Sequence, residues 1–169
     1  MAELEAEIGG LIREYQAKTG KLLTIGTVES ATGGRIADRI TDVPGSSDYF
    51  KGSVVAYSNE VKIALLGVKK ETIENYGAVS GQTAVEMAEG GRKLLNVDIC
   101  VSDTGVAGPS GATPEKPVGL FYLGLAAEGE SLSQKHTFLG NREDNKRDAA
   151  EAVLNMLKQY LLGRTDASG

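Results

Sequence analysis

The sequence is poor in the residues that mark a nucleic-acid-binding surface. It contains no tryptophan, aromatic residues make up 5% of the chain, and the formal net charge is −5. A surface for single-stranded nucleic acid needs aromatic rings on which bases stack, and a phosphate-tracking face needs an excess of Lys and Arg. The composition therefore argues against nucleic acid as a partner.

Cysteine and histidine are equally scarce, with one residue of each, Cys100 and His136. A single thiol forms no intramolecular disulfide, and the apolar run around Cys100 predicts a small buried side chain. These two residues cannot supply a zinc cluster of the usual kind. We therefore predict no metal, although a carboxylate Mg²⁺ site stays open. His136 lies on a predicted strand, and we expect it to be structural rather than part of a Ser-His-Asp triad.

Long apolar runs are also missing. No uninterrupted apolar stretch approaches the length of a membrane span, and the first ten residues lack the apolar core of a signal peptide. These absences predict a cytoplasmic protein with no membrane partner. A chain of 169 residues with 41% hydrophobic residues is enough for one domain with a sizeable core.

Hydrophobic periodicity predicts alternating helices and strands, followed by a late hairpin. This order is typical of the α/β class, and we expect a three-layer α/β/α sandwich with a mixed, mostly parallel sheet. We assign 1–162 to a single domain and expect 163–169 to be a disordered tail. The predicted strands cover 21–28, 53–57, 97–102, 118–126 and 133–139, and the predicted helices cover 4–19, 35–40, 59–66, 71–76, 80–95 and 142–162.

The segment 45–62 carries a candidate catalytic set of Ser47, Tyr57 and Lys62. Without a suitable histidine, a nucleophilic serine must pass its proton to another base. Lys62 can act as that base only when neutral, so burial among its apolar neighbours would have to lower its pKa well below the usual range. Tyr57 could then relay the proton or hold the amine. The alternative is that Lys62 is a solvated helix lysine and that Ser47 belongs to an ordinary turn.

Two glycine-rich segments flank this candidate set. Residues 29–34 (ESATGG) follow a predicted strand and open a predicted helix, where backbone N–H groups could bind an anion. The alternative is that Ser30 or Thr32 simply caps the helix. Residues 105–119 form a Gly- and Pro-rich loop with Lys116 and Arg142 nearby, which would suit a phosphate. The alternative there is a rigid surface loop.

Six ordered motifs resemble the CinA C-terminal domain family. They are ESATGG (29–34), GSS (45–47), YSNEVK (57–62), GAVS (77–80), TGVAGP (104–109) and EKPVG (115–119). The resemblance spans about residues 4–162. It implies a three-layer α/β/α fold with a mixed sheet. It also implies hydrolysis of nicotinamide mononucleotide to nicotinate mononucleotide and ammonia, by a Ser/Lys mechanism without metal or cofactor.

The resemblance also implies roles for individual residues. Ser47 would be the nucleophile, Lys62 the general base and Tyr57 their hydrogen-bonding partner. Ser30, Thr104 and Arg142 match further site positions, expected to hold the amide and the phosphate. With the glycine-rich segments added, the predicted substrate-binding set comprises Ser30, Thr32, Gly33, Thr104, Gly105, Gly108, Lys116 and Arg142.

One position departs from the family pattern. Ala31 stands where the family usually has cysteine, which removes a thiol but no group that the mechanism needs. Family habit and the apolar strand 118–126 lead us to expect a homo-oligomer, with a dimer as the guess. A competing hypothesis is a non-catalytic nucleotide-binding or regulatory module linked to competence and DNA-damage responses. The Ser47, Tyr57 and Lys62 set favours the enzyme.

Overall fold

The computed structural model describes residues 3–168 and places one sheet between two layers of helices. The strands are β1 (Ile25–Glu29), β2 (Phe50–Val55), β3 (Ile99–Gly105), β4 (Leu120–Ala127) and β5 (Glu130–Thr137). The helices are α1 (Leu4–Thr19), α2 (Arg35–Thr41), α3 (Asn59–Leu66), α4 (Lys70–Tyr76), α5 (Gly81–Leu95) and α6 (Arg142–Ser168), with a single 3-10 turn at Ser46–Asp48.

The strand order across the sheet is β2-β1-β3-β4-β5. β1 pairs in parallel with both β2 and β3, whereas β4 is antiparallel to β3 and to β5. Four of the five strands therefore run in the same direction, which confirms the mixed, mostly parallel sheet. Because β1, β2 and β3 are parallel, their carboxyl ends meet at one edge of the sheet.

Each face of the sheet carries its own apolar core. α1, α2 and α6 cover one face, where Ile8, Ile36 and Leu157 are fully buried. α3, α4 and α5 cover the other face around Met87 and Cys100. Cys100 is completely buried, as its apolar surroundings predicted, and this burial raises the pKa of its thiol.

The prediction of a disordered tail is wrong for residues 163–168, because α6 continues to Ser168. Arg164 donates hydrogen bonds to the hydroxyls of Tyr160 (3.2 Å) and Tyr15 (3.1 Å), and Thr165 is buried. These contacts with α1 outweigh the weak helical propensity of the local sequence. Gly169 lies outside the described residues. Within 3–168, no helix combines the length and the apolar character that a bilayer crossing requires.

Candidate active site

A pocket of about 310 Å³ opens at the carboxyl ends of β1, β2 and β3. The chain that follows each of these strands contributes to it, and so does the first residue of α6. In a parallel sheet, this edge is where ligands usually bind. The polar residues that line it include Ser30, Tyr57, Asn59, Lys62, Thr104 and Arg142.

Lys62 is the most deeply buried cation of this pocket. It lies on α3, whose first turn is capped by the Ser58 hydroxyl (3.2 Å to the Val61 N–H). Only 2% of Lys62 is exposed. The alternative of a solvated lysine is therefore wrong. Burial lowers the pKa of Lys62, and the nearby Asp103 carboxyl partly opposes this by raising it.

The three partners of the Lys62 amine determine what it can do. Nζ lies 2.9 Å from Ser30 Oγ, 3.0 Å from the Ala56 carbonyl and 3.0 Å from the Tyr57 carbonyl. A neutral amine has two hydrogens and one lone pair, and a carbonyl can only accept. When the two carbonyls take both N–H groups, the lone pair is left for the Ser30 hydroxyl, which can donate. The geometry therefore pairs a base with Ser30.

Two buried acids hold the turn that carries Ser30. Asp103, near the end of β3, accepts the backbone N–H groups of Ser30 (3.0 Å) and Thr32 (3.1 Å). Glu29, the last residue of β1, accepts the N–H groups of Gly34, Ile36 and Ala37 at 2.9–3.0 Å. Positive φ angles of 65° at Gly33 and 106° at Gly34 let the chain turn tightly between β1 and α2.

These contacts correct two predictions about residues 29–34. The amino end of α2 is occupied by the protein's own Glu29 carboxylate, so the predicted anion site is already filled, and α2 has no side-chain cap from Ser30 or Thr32. Thr32 is fully buried and bonds to both acids, and neither it nor Gly33 lines the pocket. Of this segment, Ser30 and Ala31 reach the pocket.

The predicted meeting of Ser47 with Lys62 is wrong. Ser47 lies in the 3-10 turn before β2, and Lys62 lies after the other end of that strand. Six strand residues alone separate the two by about 18 Å. Ser47 is exposed, beside an ion pair in which Arg13 Nη2 donates to Asp48 Oδ2 (2.8 Å). Ser30 occupies the place that the sequence analysis gave to Ser47.

Tyr57 and Arg142 form the outer rim of the pocket. Arg142 donates one hydrogen bond to the Tyr57 hydroxyl (3.1 Å) and another to the Gly108 carbonyl (2.7 Å). Tyr57 is 61% exposed. It is the backbone carbonyl of Tyr57, and not its phenol, that accepts a hydrogen bond from Lys62. Tyr57 therefore contacts both sides of the pocket, but its hydroxyl faces a guanidinium and not the predicted Ser–Lys pair.

The remaining predicted substrate-binding residues divide into two groups. Thr104 and Gly105 line the pocket, and the Thr104 hydroxyl donates to the Ala78 carbonyl (2.7 Å). Gly108 contributes its carbonyl to Arg142 and does not line the pocket. Lys116 is also outside it, because Nζ donates to the carbonyls of Tyr76 (3.0 Å) and Val79.

Sequence reasoning missed the two acids behind the pocket, although both stand beside predicted site residues. Glu29 directly precedes Ser30 and Asp103 directly precedes Thr104. Acidic residues at the ends of apolar strands were the available signal. His136 lies on the edge strand β5, stacked on Phe138 and bonded to Gln134, consistent with a structural role. Residues 3–168 contain no group of three or more His, Cys, Asp or Glu side chains placed to hold a metal.

Comparisons with known proteins agree on one family. Residues 6–161 match the sequence model of the CinA C-terminal domain. A putative competence-damage inducible protein from Halothermothrix orenii is 53% identical over 159 residues, which is 94% of this chain and 37% of that protein. A CinA-like protein from Sulfurihydrogenibium sp. is 44% identical over 96% of this chain and 39% of that protein. The chain thus spans less than half the length of these relatives.

Solved structures show the same fold over nearly the whole chain. The competence/damage inducible protein CihA from Agrobacterium tumefaciens is 34% identical with a TM-score of 0.84, covering 93% of this chain and 94% of that one. A CinA superfamily protein from Enterobacter cloacae is 27% identical with a TM-score of 0.86, covering 94% of this chain and 90% of that one.

Proposed function

Because the chain belongs to the CinA C-terminal domain family, we propose that it is an amidohydrolase that converts nicotinamide mononucleotide to nicotinate mononucleotide and ammonia. Ser30, rather than Ser47, is the proposed nucleophile, and Lys62 is the proposed general base. One observation supports this above all others: the buried Lys62 Nζ lies 2.9 Å from Ser30 Oγ and faces two further partners that can only accept.

In the first half of the reaction, Ser30 Oγ attacks the carboxamide carbon while its proton passes to Lys62 Nζ. Collapse of the tetrahedral intermediate breaks the C–N bond. The Lys62 ammonium returns the proton to the departing nitrogen, so that ammonia leaves and an ester to Ser30 remains. The lowered pKa of Lys62 favours the neutral amine with which this step begins.

In the second half, water attacks the ester carbon and gives a proton to Lys62. Lys62 then passes that proton to Ser30 Oγ as the ester bond breaks, which regenerates the serine and releases the carboxylate product. The same amine thus acts twice as base and twice as acid.

The charge of the pocket supports a substrate that carries an anionic group. Among its lining residues within 3–168 there are two basic side chains, Lys62 and Arg142, and no Asp or Glu. Arg142 stands at the exposed rim, where its planar guanidinium suits a phosphate. The pyridinium charge of a bound substrate would further disfavour the Lys62 ammonium and so preserve the base.

The developing oxyanion needs backbone donors near Ser30. The N–H groups of Ser30 and Thr32 are already held by Asp103, so they are not available. Ala31 lines the pocket, and no hydrogen bond among the described residues occupies its N–H. We therefore assign the oxyanion to the Ala31 N–H, with the departure from the family's usual cysteine leaving this backbone group in place.

The test is ammonia release from nicotinamide mononucleotide by the purified chain, followed together with the appearance of nicotinate mononucleotide. Nicotinamide riboside, which lacks the phosphate, is the matched control substrate and is expected to react with a higher KM. Absence of ammonia release from a folded protein at neutral and mildly alkaline pH would reject the proposal.

A second candidate function is suggested by the relatives' names, which refer to competence and damage induction rather than to a reaction. In that case the pocket would bind a nucleotide without turnover. Calorimetry separates the two functions, since a binding module would bind nicotinamide mononucleotide stoichiometrically and recover it unchanged. We also propose that the protein is a cytoplasmic homodimer, and light scattering tests the dimer.

A further inference from the structure

We propose that Asp103 is a positioning residue of this site, which holds the Ser30 turn in place and uses its own charge to set the protonation of Lys62. It touches neither the pocket nor the reacting atoms. The inference rests on the proposed function for its activity readout, and its second readout needs no activity.

Both oxygens of Asp103 bond to the Ser30 turn, through the N–H groups of Ser30 (3.0 Å) and Thr32 (3.1 Å) and the Thr32 hydroxyl (2.5 Å). Asp103 lies in the central sheet and is fully buried, so it is anchored more firmly than the turn it holds. Loss of these bonds would free the segment that places Ser30 Oγ against Lys62.

The Thr32 hydroxyl is shared between two buried carboxyls. The Thr32 hydroxyl has one hydrogen, yet it lies 2.7 Å from Glu29 Oε1 and 2.5 Å from Asp103 Oδ1. For both contacts to be hydrogen bonds, one carboxyl must donate to Thr32. Glu29 already accepts three backbone N–H groups at the amino end of α2. Asp103, whose pKa burial raises, can be this donor while it is protonated; once it ionises, the single Thr32 hydrogen can go to Asp103 or to Glu29 but not to both.

The charge of Asp103 acts on Lys62. Burial, together with the charge of Glu29, raises the pKa of Asp103 to about 6, against the lowering effect of the Thr32 and Ser30 hydrogen bonds. The carboxyl therefore changes its charge just below neutral pH. Its anion raises the pKa of Lys62, opposing burial. Other charged groups near this turn include Glu29 from β1, Arg35 from α2, which pairs with Glu143, and Lys146 from α6, whose Nζ lies near Gly33.

The experiment compares Asp103→Asn with Asp98→Asn. Asp98 lies just before the first residue of β3. It is partly buried and accepts hydrogen bonds from Thr24, so its replacement controls for the loss of a structural carboxylate. The Lys62 amine is titrated by NMR in protein containing ¹³C-labelled lysine, with Lys62→Met identifying its signal. The pH dependence of kcat/KM for nicotinamide mononucleotide is measured in parallel.

We expect Asp103→Asn to move the Lys62 midpoint to lower pH by about 1 pH unit, since a buried negative charge is removed. The acid limb of kcat/KM should follow it, while Asp98→Asn leaves both unchanged. A purely structural role would lower kcat without moving the midpoint. An unchanged or higher midpoint overturns the inference. If the wild type releases no ammonia, the proposed function fails, and the NMR titration still decides the role of Asp103.

Thr32→Val provides a second test should Asp103→Asn fail to fold. The Thr32 hydroxyl lowers the pKa of Asp103 by donating to its ionised form, so removal of this hydroxyl should let Asp103 keep its proton to higher pH. The Lys62 midpoint should then fall in the same direction by a smaller amount. Thr32→Ser retains the hydroxyl and should restore the wild-type midpoint. Equal Lys62 midpoints in the Val and Ser variants would contradict a role for the Thr32 hydroxyl in setting the charge of Asp103.

Discussion

Two serines at opposite ends of the parallel strands have similar sequence contexts but completely different environments. Ser30 follows β1 and Ser47 precedes β2, and each sits next to small residues in a tight turn. Ser30 is 7% exposed and contacts a buried amine. Ser47 is exposed beside a surface ion pair. The difference lies in which end of a parallel strand each serine occupies.

The direction of the strands determines which residues come together in the site. β1 lies between β2 and β3 and is parallel to both, so residues that follow the three strands converge from distant parts of the chain. Residues at the two ends of one strand remain apart by its length. Ser47 and Lys62 are close in sequence and were predicted to meet, whereas the strand order brings Ser30 and Lys62 together in space.

The largest effect is expected from replacing the two serines. Ser30→Ala should reduce kcat/KM for nicotinamide mononucleotide by about 10³-fold or more, because the nucleophile is lost. Ser47→Ala should change it by less than about twofold. Ammonia release measures both. Equal losses in the two variants, or a larger loss for Ser47→Ala, would contradict the assignment of Ser30 as the nucleophile.

The next largest effect concerns Lys62. Lys62→Met keeps the buried stem but removes the base, and should lower kcat by about 10²- to 10⁴-fold. Lys70→Met, at an exposed position of α4, is the matched control. Both Lys62→Met and Lys62→Ala leave the Ala56 and Tyr57 carbonyls without their donor, and Lys62→Ala also removes the stem. It should therefore lower the free energy of unfolding by about 1–3 kcal/mol. An Ala variant as stable as wild type in urea would contradict the buried position.

A smaller effect is expected at the rim. Arg142→Ala should raise KM for nicotinamide mononucleotide by about 10- to 100-fold, because a charge-assisted contact to phosphate is lost. KM for nicotinamide riboside should change little. Arg147→Ala, on the exposed side of α6, is the control. If both substrates lose affinity equally, Arg142 acts by holding Tyr57 and the Gly108 carbonyl rather than by binding phosphate.

The smallest effect compares the acids near the two ends of β3. The folded-state pKa of Asp103 is raised to about 6, so its contribution to stability is complete below about pH 4 and is lost as pH rises through 6. For Asp98, burial raises the pKa, but hydrogen bonds from Thr24 and the charge of Lys21 outweigh it and lower the pKa. Its contribution is therefore lost as pH falls below about 4.

Urea unfolding of wild type, Asp103→Asn and Asp98→Asn between pH 3 and 7 measures both contributions. The stability of wild type relative to Asp103→Asn should fall with rising pH, by on the order of 1–3 kcal/mol. Relative to Asp98→Asn it should rise. The same sign for both variants would show that the two ends of β3 do not differ in this way.

Much of the fold could be predicted from the sequence because local hydrophobic periodicity indicates where helices and strands lie. α3 was placed at its observed bounds, and α1 and α5 were placed within a residue or two. The end of α6 could not be predicted in this way, since Arg164 there bonds to the distant Tyr15 of α1 and Thr165 is buried. The strands were shifted by up to four residues at their starts.

For the site, the sequence by itself determined the chemical groups: hydroxyls in small-residue turns, one lysine among apolar neighbours, an arginine at the start of the last helix, and too few His and Cys for a zinc cluster of the usual kind. Tertiary structure alone decided which hydroxyl meets the lysine. It also decided that Glu29 fills the helix end proposed for a substrate and that Asp103 supports the turn. The physical reason is that hydrogen-bonded strand pairing sets these distances, and pairing partners are far apart in the chain.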